Sequence, residues 1–533
     1  MTQQPWWKSA VVYQIYPRSF QDSNGDGVGD LNGITSRLDV LAELGVDALW
    51  LSPVQTSPMA DFGYDISDYR GIDPLFGTLD DFDGLLEEAH RRGLKVLLDM
   101  VLNHSSDQHP WFVESRSSLS NPKRDWYVWR RGRRPNNWQG VFGGRAWTWD
   151  PTTESWYLHS FLKEQPDLNW RNADLRRAVF DDLEFWLGRG VDGFRFDVFN
   201  LWFKDPGLRS NPLRFWGAKN PRPYDWQWHR HDGFHGDLHP VLRELRTLLD
   251  RYGAAGVGEA YLPDGWDPVA SAAYLGQGDE LPLVFDFSTI TTPWSARAFA
   301  RTLQEWKNAV GQHGSAFVLS NHDQPRAWTR LSPGCGAEEA DARARVAAAV
   351  LLLSGGTPFL YYGEELGMPE VTLSRDQIRD PVGVRYWPFN RGRDGARTPM
   401  AWTPGPSGGF TTGSPWLPLH PDHQTRNVAV QRADPNSLWN WHATLLALRR
   451  RHETLRTGAW EPAEAGHRDV LAFRRVAGGE RWLVAANFRS RPTPILLEAA
   501  GVWGAGTKPR EALAAGLHVL DPYEVLVLRE AAR

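Results

Sequence analysis

The sequence predicts an α/β fold: a (β/α)₈ TIM barrel with a domain inserted after strand three and an all-β sandwich domain at the C-terminus. Three observations carry this. Eight short apolar runs recur along the chain, most of them separated by amphipathic helical patterns. Such alternation implies parallel pairing, and eight units suffice to close a barrel. Residues 104–170 interrupt the repeat with a stretch rich in Trp, Arg and Asn. After about residue 457 the helical spacing gives way to the alternating segments "DVLAFRRV", "RWLVAANF", "PTPILLE" and "YEVLVLRE". The expected division is a barrel over 1–103 and 171–456, an inserted domain over 104–170 and a β-sandwich over 457–533.

The elements follow in order. "VVYQIYP" reads as the first strand, and "LDVLAELGV" as a helix ended by Gly45. "DALWLSP" is the second strand, and helix "FDGLLEEAHRRG" stops at Gly93. "LKVLLDMVLNH" is the third. Helix "DLRRAVFDDLEFWLGRG" leads into "VDGFRFDVF", and helix "LHPVLRELRTLLDRYG" into "AAGVGEAY". "LPLVFDF", "SAFVLSNHD" and "TPFLYYG" complete the set. An open doubly wound sheet would carry a G-x-G-x-x-G turn after its first strand; here the turn is "YPRSFQDSNGDG".

Composition excludes several classes. The net charge is -5 over 533 residues, with no basic tract for nucleic acid and no basic amphipathic helix for a membrane surface. No apolar run is long enough to span a bilayer, and "MTQQPWWKSA" lacks the pattern of a signal peptide. The single cysteine, Cys335, excludes an internal disulfide and fits a reducing cytoplasm. Neither nucleic acid nor membrane is expected as a partner, for a monomer or small homo-oligomer. Most of the 28 Trp are expected in packing, a minority as platforms for a sugar ring.

Active sites of barrels lie at the C-terminal ends of the strands. Those ends carry Asp22 to Asp30, then Tyr64 and Asp65, then Asp99, Asn103 and His104. Arg195 and Asp197, Glu259, and His322 and Asp323 follow. Acids converging on one mouth repel one another unless a ligand, cation or proton offsets them, and such strain marks function. Paired carboxylates without a redox-cofactor motif point to glycoside hydrolysis, and no organic cofactor is expected. Arg195 precedes Asp197 by two residues, so on a strand both face one way. A cation there would keep Asp197 ionised as nucleophile. Glu259 has the reach and the apolar approach of a proton donor, and Asp323 would grip sugar hydroxyls.

These residues resemble the α-amylase superfamily of glycoside hydrolases, through "DMVLNH", "GFRFDVF", "GEAY" and "SNHD" in order along most of the chain. The resemblance implies Asp197 as nucleophile, Glu259 as acid/base and Asp323 as transition-state stabiliser, with retention through a glycosyl-enzyme. "QPDLNW" at 165–170 and "RTPMAW" at 397–402 are similar to the oligo-1,6-glucosidase and α-glucosidase branch. That branch implies an exo-acting α-glucosidase whose partner is a small oligosaccharide, cut at its non-reducing end, and in which Tyr64, Asp65, His104, Arg195, His322 and Arg397 hold the terminal glucose. Asp65 and Arg397 would close the pocket, and Phe161 would form its wall. Val198 after the nucleophile looks like the α-1,6-preferring members, whereas "LWFKDPGLRSNPLRFW" is similar to broader α-glucosidases. A transglycosylating relative, of the sucrose isomerase or trehalose synthase type, would share every catalytic residue. A non-catalytic transporter-ancillary relative is disfavoured by the three acids.

"DSNGDGVGD" resembles the start of an EF-hand, but position twelve is Gly33 rather than glutamate and a strand precedes it. Its oxygen donors, Asp22, Asn24, Asp26, Asp30 and the Val28 carbonyl, suit a structural Ca²⁺, or Mg²⁺, and the branch it resembles carries a metal in this loop. His231, His235 and His239 in "WHRHDGFHGDLH" read as a loop at the substrate entrance rather than a zinc site, because Gly233 and Gly236 disfavour a helix there.

Overall fold

A computed structural model describes residues 4–214, 222–262, 265–311 and 313–531. Its centre is a closed ring of eight strands: β1 Val12–Ile15, β2 Ala48–Leu51, β3 Lys95–Met100, β4 Gly193–Phe196, β5 Ala255–Gly258, β6 Leu283–Asp286, β7 Gly314–Val318 and β8 Thr357–Tyr361. All neighbours run parallel, and Val12 of β1 pairs with Phe359 of β8 to close the barrel. These are the eight runs singled out in the sequence.

Apart from Lys95, every residue in these strands is buried. That is why they read as continuous apolar runs instead of alternating ones. Alternate side chains serve two cores. Val12, Trp50, Leu97, Val257, Phe285 and Phe359 pack together inside the ring. Tyr13, Leu49, Leu98, Phe194 and Leu360 belong to the larger core under the helices.

The helices begin and end on the signals in the sequence. Leu38–Leu44 stops at Gly45, whose φ of 98° is left-handed and costs glycine nothing. Leu79–Arg91 starts at a capping box between Thr78 and Asp81. Ala173–Gly188 starts at Asn172, whose side chain accepts from Asp174 N and Leu175 N. Leu238–Tyr252 ends at Gly253 in the left-handed region.

Between β3 and β4, residues 104–170 hold a short helix, Pro110–Ser115, and a three-stranded antiparallel sheet of Trp129–Arg131, Ser155–Leu158 and Trp147–Asp150. Strands this short give no readable alternation. They are set by aromatic packing, with Phe112 stacked on Trp129 at 5.5 Å and Trp149 edge-on to Trp156 at 5.3 Å. An isolated bridge between His104 and Asp167 brings the two ends of the segment together.

Beyond Ala459 the chain is antiparallel β. A five-stranded sheet faces the pair Thr493–Leu497 and Gly516–Leu520. Leu483, Ala485, Leu526 and Leu528 of the first share one core with Ile495, Leu497 and Leu520 of the second, which makes the unit a sandwich. Among the described residues no helix is long and apolar enough to cross a membrane.

Candidate active site

A cavity of about 680 Å³ opens at the C-terminal ends of the strands, a size suited to a small organic ligand. Tyr64, His104, Phe161, Asp197, Glu259 and Asp323 line it. Val141 and Phe142 of the inserted segment and Val382 from the segment after β8 complete its upper wall. Arg385 donates to the Gly143 carbonyl at 3.1 Å, which ties those two segments together beside the cavity.

The period of two along β4 places Arg195 opposite Asp99 of β3, and Asp197 follows at the strand end. Arg195 Nη1 lies 2.7 Å from Asp99 Oδ1 and 2.8 Å from Asp197 Oδ1. Its Nη2 contacts Glu259 Oε2. One guanidinium, wholly buried above Trp50, therefore serves three carboxylates. Burial pushes Asp197 up to about 7; Arg195 pulls it down, while Asp99, Asp323 and Asp61 raise it further. The expectation that Arg195 keeps Asp197 ionised thus meets a competing effect, because the same cation is shared with Asp99, which burial also raises. Asp323 behaves differently. Burial would raise it, but the Arg393, Arg397 and Arg195 cations together hold it far below the usual carboxylate range.

A hydrogen-bonded chain runs behind the wall. His322 Nδ1 lies 2.8 Å from Gln14 Nε2, a donor, so His322 carries its proton on Nε2, 2.6 Å from the Tyr64 hydroxyl. Tyr64 in turn donates to Asp99 Oδ2 at 3.1 Å. The rings of Tyr64 and His322 stack at 5.4 Å. Burial lowers His322 to about 3, so the ring is neutral at pH 7.

Beside Asp323, Arg393 forms a knot. Its Nη1 lies 3.0 Å from Asp323 Oδ1, and its Nη2 is 2.9 Å from Asp61 Oδ1 and 2.7 Å from Asp380 Oδ1. Arg397 Nη2 reaches the same Asp323 oxygen at 2.8 Å, and its Nε donates to the His322 carbonyl. Asp61 and Arg393 both line the cavity. Neither was singled out in the sequence, although each sits four residues before one that was, Asp65 in "ADFGYD" and Arg397 in "RGRDGARTPM".

The placement of the expected sugar-binding residues divides them. Tyr64, His104 and Phe161 face the cavity. Arg195, His322 and Arg397 are buried behind it, where they brace the acids. Asp65 is a correction: its carboxylate accepts from Ser57 Oγ at 3.0 Å, Ala60 N at 2.9 Å and Asp61 N at 3.0 Å. It folds the turn that presents Asp61, and Asp61 takes the position at the cavity. Val198 lines the cavity in a left-handed conformation, φ 33° and ψ 39°, a strained one for a β-branched residue. Trp266 is the one tryptophan among the described lining residues. Others pack, as Trp170 and Trp202 do, stacked at 4.0 Å. Of the segment 201–216, residues 215 and 216 lie outside the described residues.

Residues 14–458 match the alpha amylase catalytic domain. The chain belongs to the alpha-amylase family. It is an alpha-amylase-family glycoside hydrolase. A probable alpha-glucosidase of Rhizobium meliloti is 44% identical over 89% of this chain and 88% of that protein. The oligo-1,6-glucosidase of Parageobacillus thermoglucosidasius is 41% identical over 92% of this chain and 91% of its own. Among solved structures, the alpha-glucosyl transfer enzyme XgtA superposes with a TM-score of 0.93 at 44% identity, covering 99% of this chain and 100% of its own. The trehalulose synthase MutB of Pseudomonas mesoacidophila MX-45 gives 0.89 at 35% identity, covering 99% and 100%.

The first loop of this alpha-amylase-family barrel is closed by its own side chains. Asp22 accepts from the backbone N of Asn24, Gly25 and Gly27, and from Thr411 Oγ1. Asp30 accepts from Ser23 and from Gly33 N. Burial opposes ionisation of Asp22, yet these donors hold it below the usual range. Among the described residues no group of three or more His, Cys, Asp or Glu side chains is gathered to hold a metal. The oxygen-only donor set has the chemistry of a hard-cation site. Asn24 and Asp26, both exposed, would have to turn inward to complete one. The histidines of 229–239 serve separate contacts, with His239 Nδ1 2.7 Å from Glu280 and His229 Nδ1 2.7 Å from Asp232.

Proposed function

We propose that the protein is a retaining, exo-acting α-glucosidase that releases glucose from the non-reducing end of short α-glucosides, with α-1,6 linkages preferred. One observation carries this reading: Asp197, Glu259 and Asp323 face a single cavity in which Arg393 ties Asp61 to Asp323. A salt-bridged knot at the cavity wall supports a site closed to a through-running chain, which only a chain end would enter.

In the first half-reaction an Asp197 oxygen forms a bond to the anomeric carbon as the bond to the leaving oxygen breaks, and Glu259 gives that oxygen its proton. In the second, Glu259 takes a proton from water, which displaces Asp197. Two inversions return the α configuration. Asp323, held ionised by its cations, stabilises the oxocarbenium-like charge between them. The curated relatives named oligo-1,6-glucosidase and the cavity position of Val198 support the linkage preference.

A second reading, transfer of the glucosyl unit to an acceptor other than water, is supported by the likeness to XgtA and MutB. A panel of isomaltose, maltose, sucrose, trehalose and panose, with products resolved, separates the two. Free glucose, formed fastest from isomaltose, is the expected result. A sucrose isomer or a lengthened glucoside as main product would overturn it.

A structural Ca²⁺ or Mg²⁺ held by Asp22, Asn24, Asp26, Asp30 and the Val28 carbonyl belongs to the same proposal, supported by that oxygen-only set. No step of the chemistry passes through it.

A further inference from the structure

The barrel and the inserted segment meet at one buried lysine. Lys204, in the segment after β4, is 3% exposed. Its Nζ lies 2.7 Å from Asp167 Oδ2 and donates to Asn103 Oδ1 at 2.7 Å. Asp167 is held in turn by Ser160, whose N and Oγ donate to it at 2.8 Å and 2.6 Å. Asn103 Nδ2 lies 3.3 Å from Asp167 Oδ1 and 3.1 Å from His104 Nδ1. His104 lines the cavity, and its Nε2 lies 2.9 Å from the carbonyl oxygen of Tyr64.

The chemistry of these groups leaves one arrangement of protons. An ammonium only donates, so Asn103 must turn its oxygen to Lys204. The amide nitrogen then faces His104 Nδ1, which must accept. The ring proton therefore sits on Nε2, where the Tyr64 carbonyl receives it. Gln165 does not disturb this. Its Nε2 lies 3.1 Å from His104 Nε2, but its two protons have acceptors in the Tyr64 carbonyl at 3.1 Å and Asp61 Oδ2 at 3.3 Å. Its oxygen is fixed by Leu162 N.

We propose that Lys204 is a positioning residue that, through Asn103, sets the tautomer of His104 and so anchors Tyr64 in the wall of the cavity. The opposite tautomer would press a ring lone pair against the Tyr64 carbonyl. Tyr64 also bonds to His322 and Asp99, the latter a partner of Arg195, so the displacement would reach the acids. His104 has one ring proton to place because burial lowers it to about 4, outweighing Asp167, which raises it. A neutral imidazole's tautomer is set by the bond its other nitrogen makes.

The kinetic part rests on the α-glucosidase reading; the tautomer does not. The test is ¹⁵N NMR of the histidine-labelled full chain at pH 7, with the His104 signal assigned by its loss in His104→Gln. The expected spectrum of the native protein has a protonated Nε2 and an imine-type Nδ1. Asn103→Asp, which offers His104 only an acceptor, should move the proton to Nδ1. Lys204→Met, which frees the amide to flip, should lose the single Nε2–H form. It should also lower kcat/KM for isomaltose by about tenfold or more, with Lys204→Arg restoring part of it. A native Nδ1–H form overturns the proposal, and so does an unchanged Nε2–H form in Asn103→Asp. If Lys204→Met does not fold, the native and Asn103→Asp spectra still decide. Absent α-glucoside cleavage with the expected spectra would sink the activity reading alone.

Discussion

Arg393 Nη2 lies 2.9 Å from Asp61 Oδ1, joining the loop after β2 to the segment after β8 at the cavity wall. Arg393 also holds Asp323 and Asp380, so Asp61 is one of three carboxylates around a single guanidinium. Asp61→Asn keeps the shape and removes the charge. A hydrogen bond to a charged group is worth about 1.5–3 kcal/mol. Steady-state kinetics on isomaltose should show kcat/KM lowered by about tenfold to a hundredfold, mostly through KM. An unchanged KM would mean that the knot is scaffolding and grips no sugar.

Val198 follows the nucleophile in sequence and belongs to one apolar cluster with Val141, Phe142, Phe161 and Val382. Val198→Thr preserves the branched shape and adds a hydroxyl at the cavity surface. The ratio of kcat/KM for isomaltose over maltose should fall. A constant ratio would place linkage choice in the surrounding loops.

The pH profile follows from Asp197. Its carboxyl is pushed up to about 7 by burial first and by neighbouring carboxylates next. A nucleophile works as the carboxylate and is protonated below its pKa, so kcat/KM should fall as pH drops through about 7. A profile flat down to pH 5 would show that Arg195 and the site's other cations dominate.

How far the sequence reached depends on what each residue does. The eight strands were legible because burial on both faces demands unbroken apolar runs, and two helix stops because Gly45 and Gly93 take left-handed conformations; the N-caps Thr78 and Asn172 were not read, since each acts through one side chain outside the apolar pattern. Asp197, Glu259 and Asp323 were legible because they lie just beyond strands, Asp197 and Glu259 directly after β4 and β5 and Asp323 in the turn after β7. Asp61 and Arg393 were not, since they lie on loops whose path is set by tertiary contacts: Asp65 folds the turn that presents Asp61, and Asp380 orients Arg393. The short strands of residues 104–170 were missed for a related reason, their stability coming from aromatic packing rather than local pattern.

The first loop gives a separate test. If Ca²⁺ or Mg²⁺ joins Asp22, Asn24, Asp26, Asp30 and Val28, a chelator should lower Tm by several degrees, as expected when a ligand that binds only the folded state is removed. Activity measured well below Tm should change little. No shift would mean that the bonds from Gly25, Gly27 and Thr411 to Asp22 close the loop unaided.

The central claim is double displacement through Asp197. Proton NMR of the first glucose released from isomaltose, recorded before mutarotation, tests it most directly. The account predicts α-glucose as the initial anomer. β-Glucose appearing first would mean direct attack by water and would contradict it.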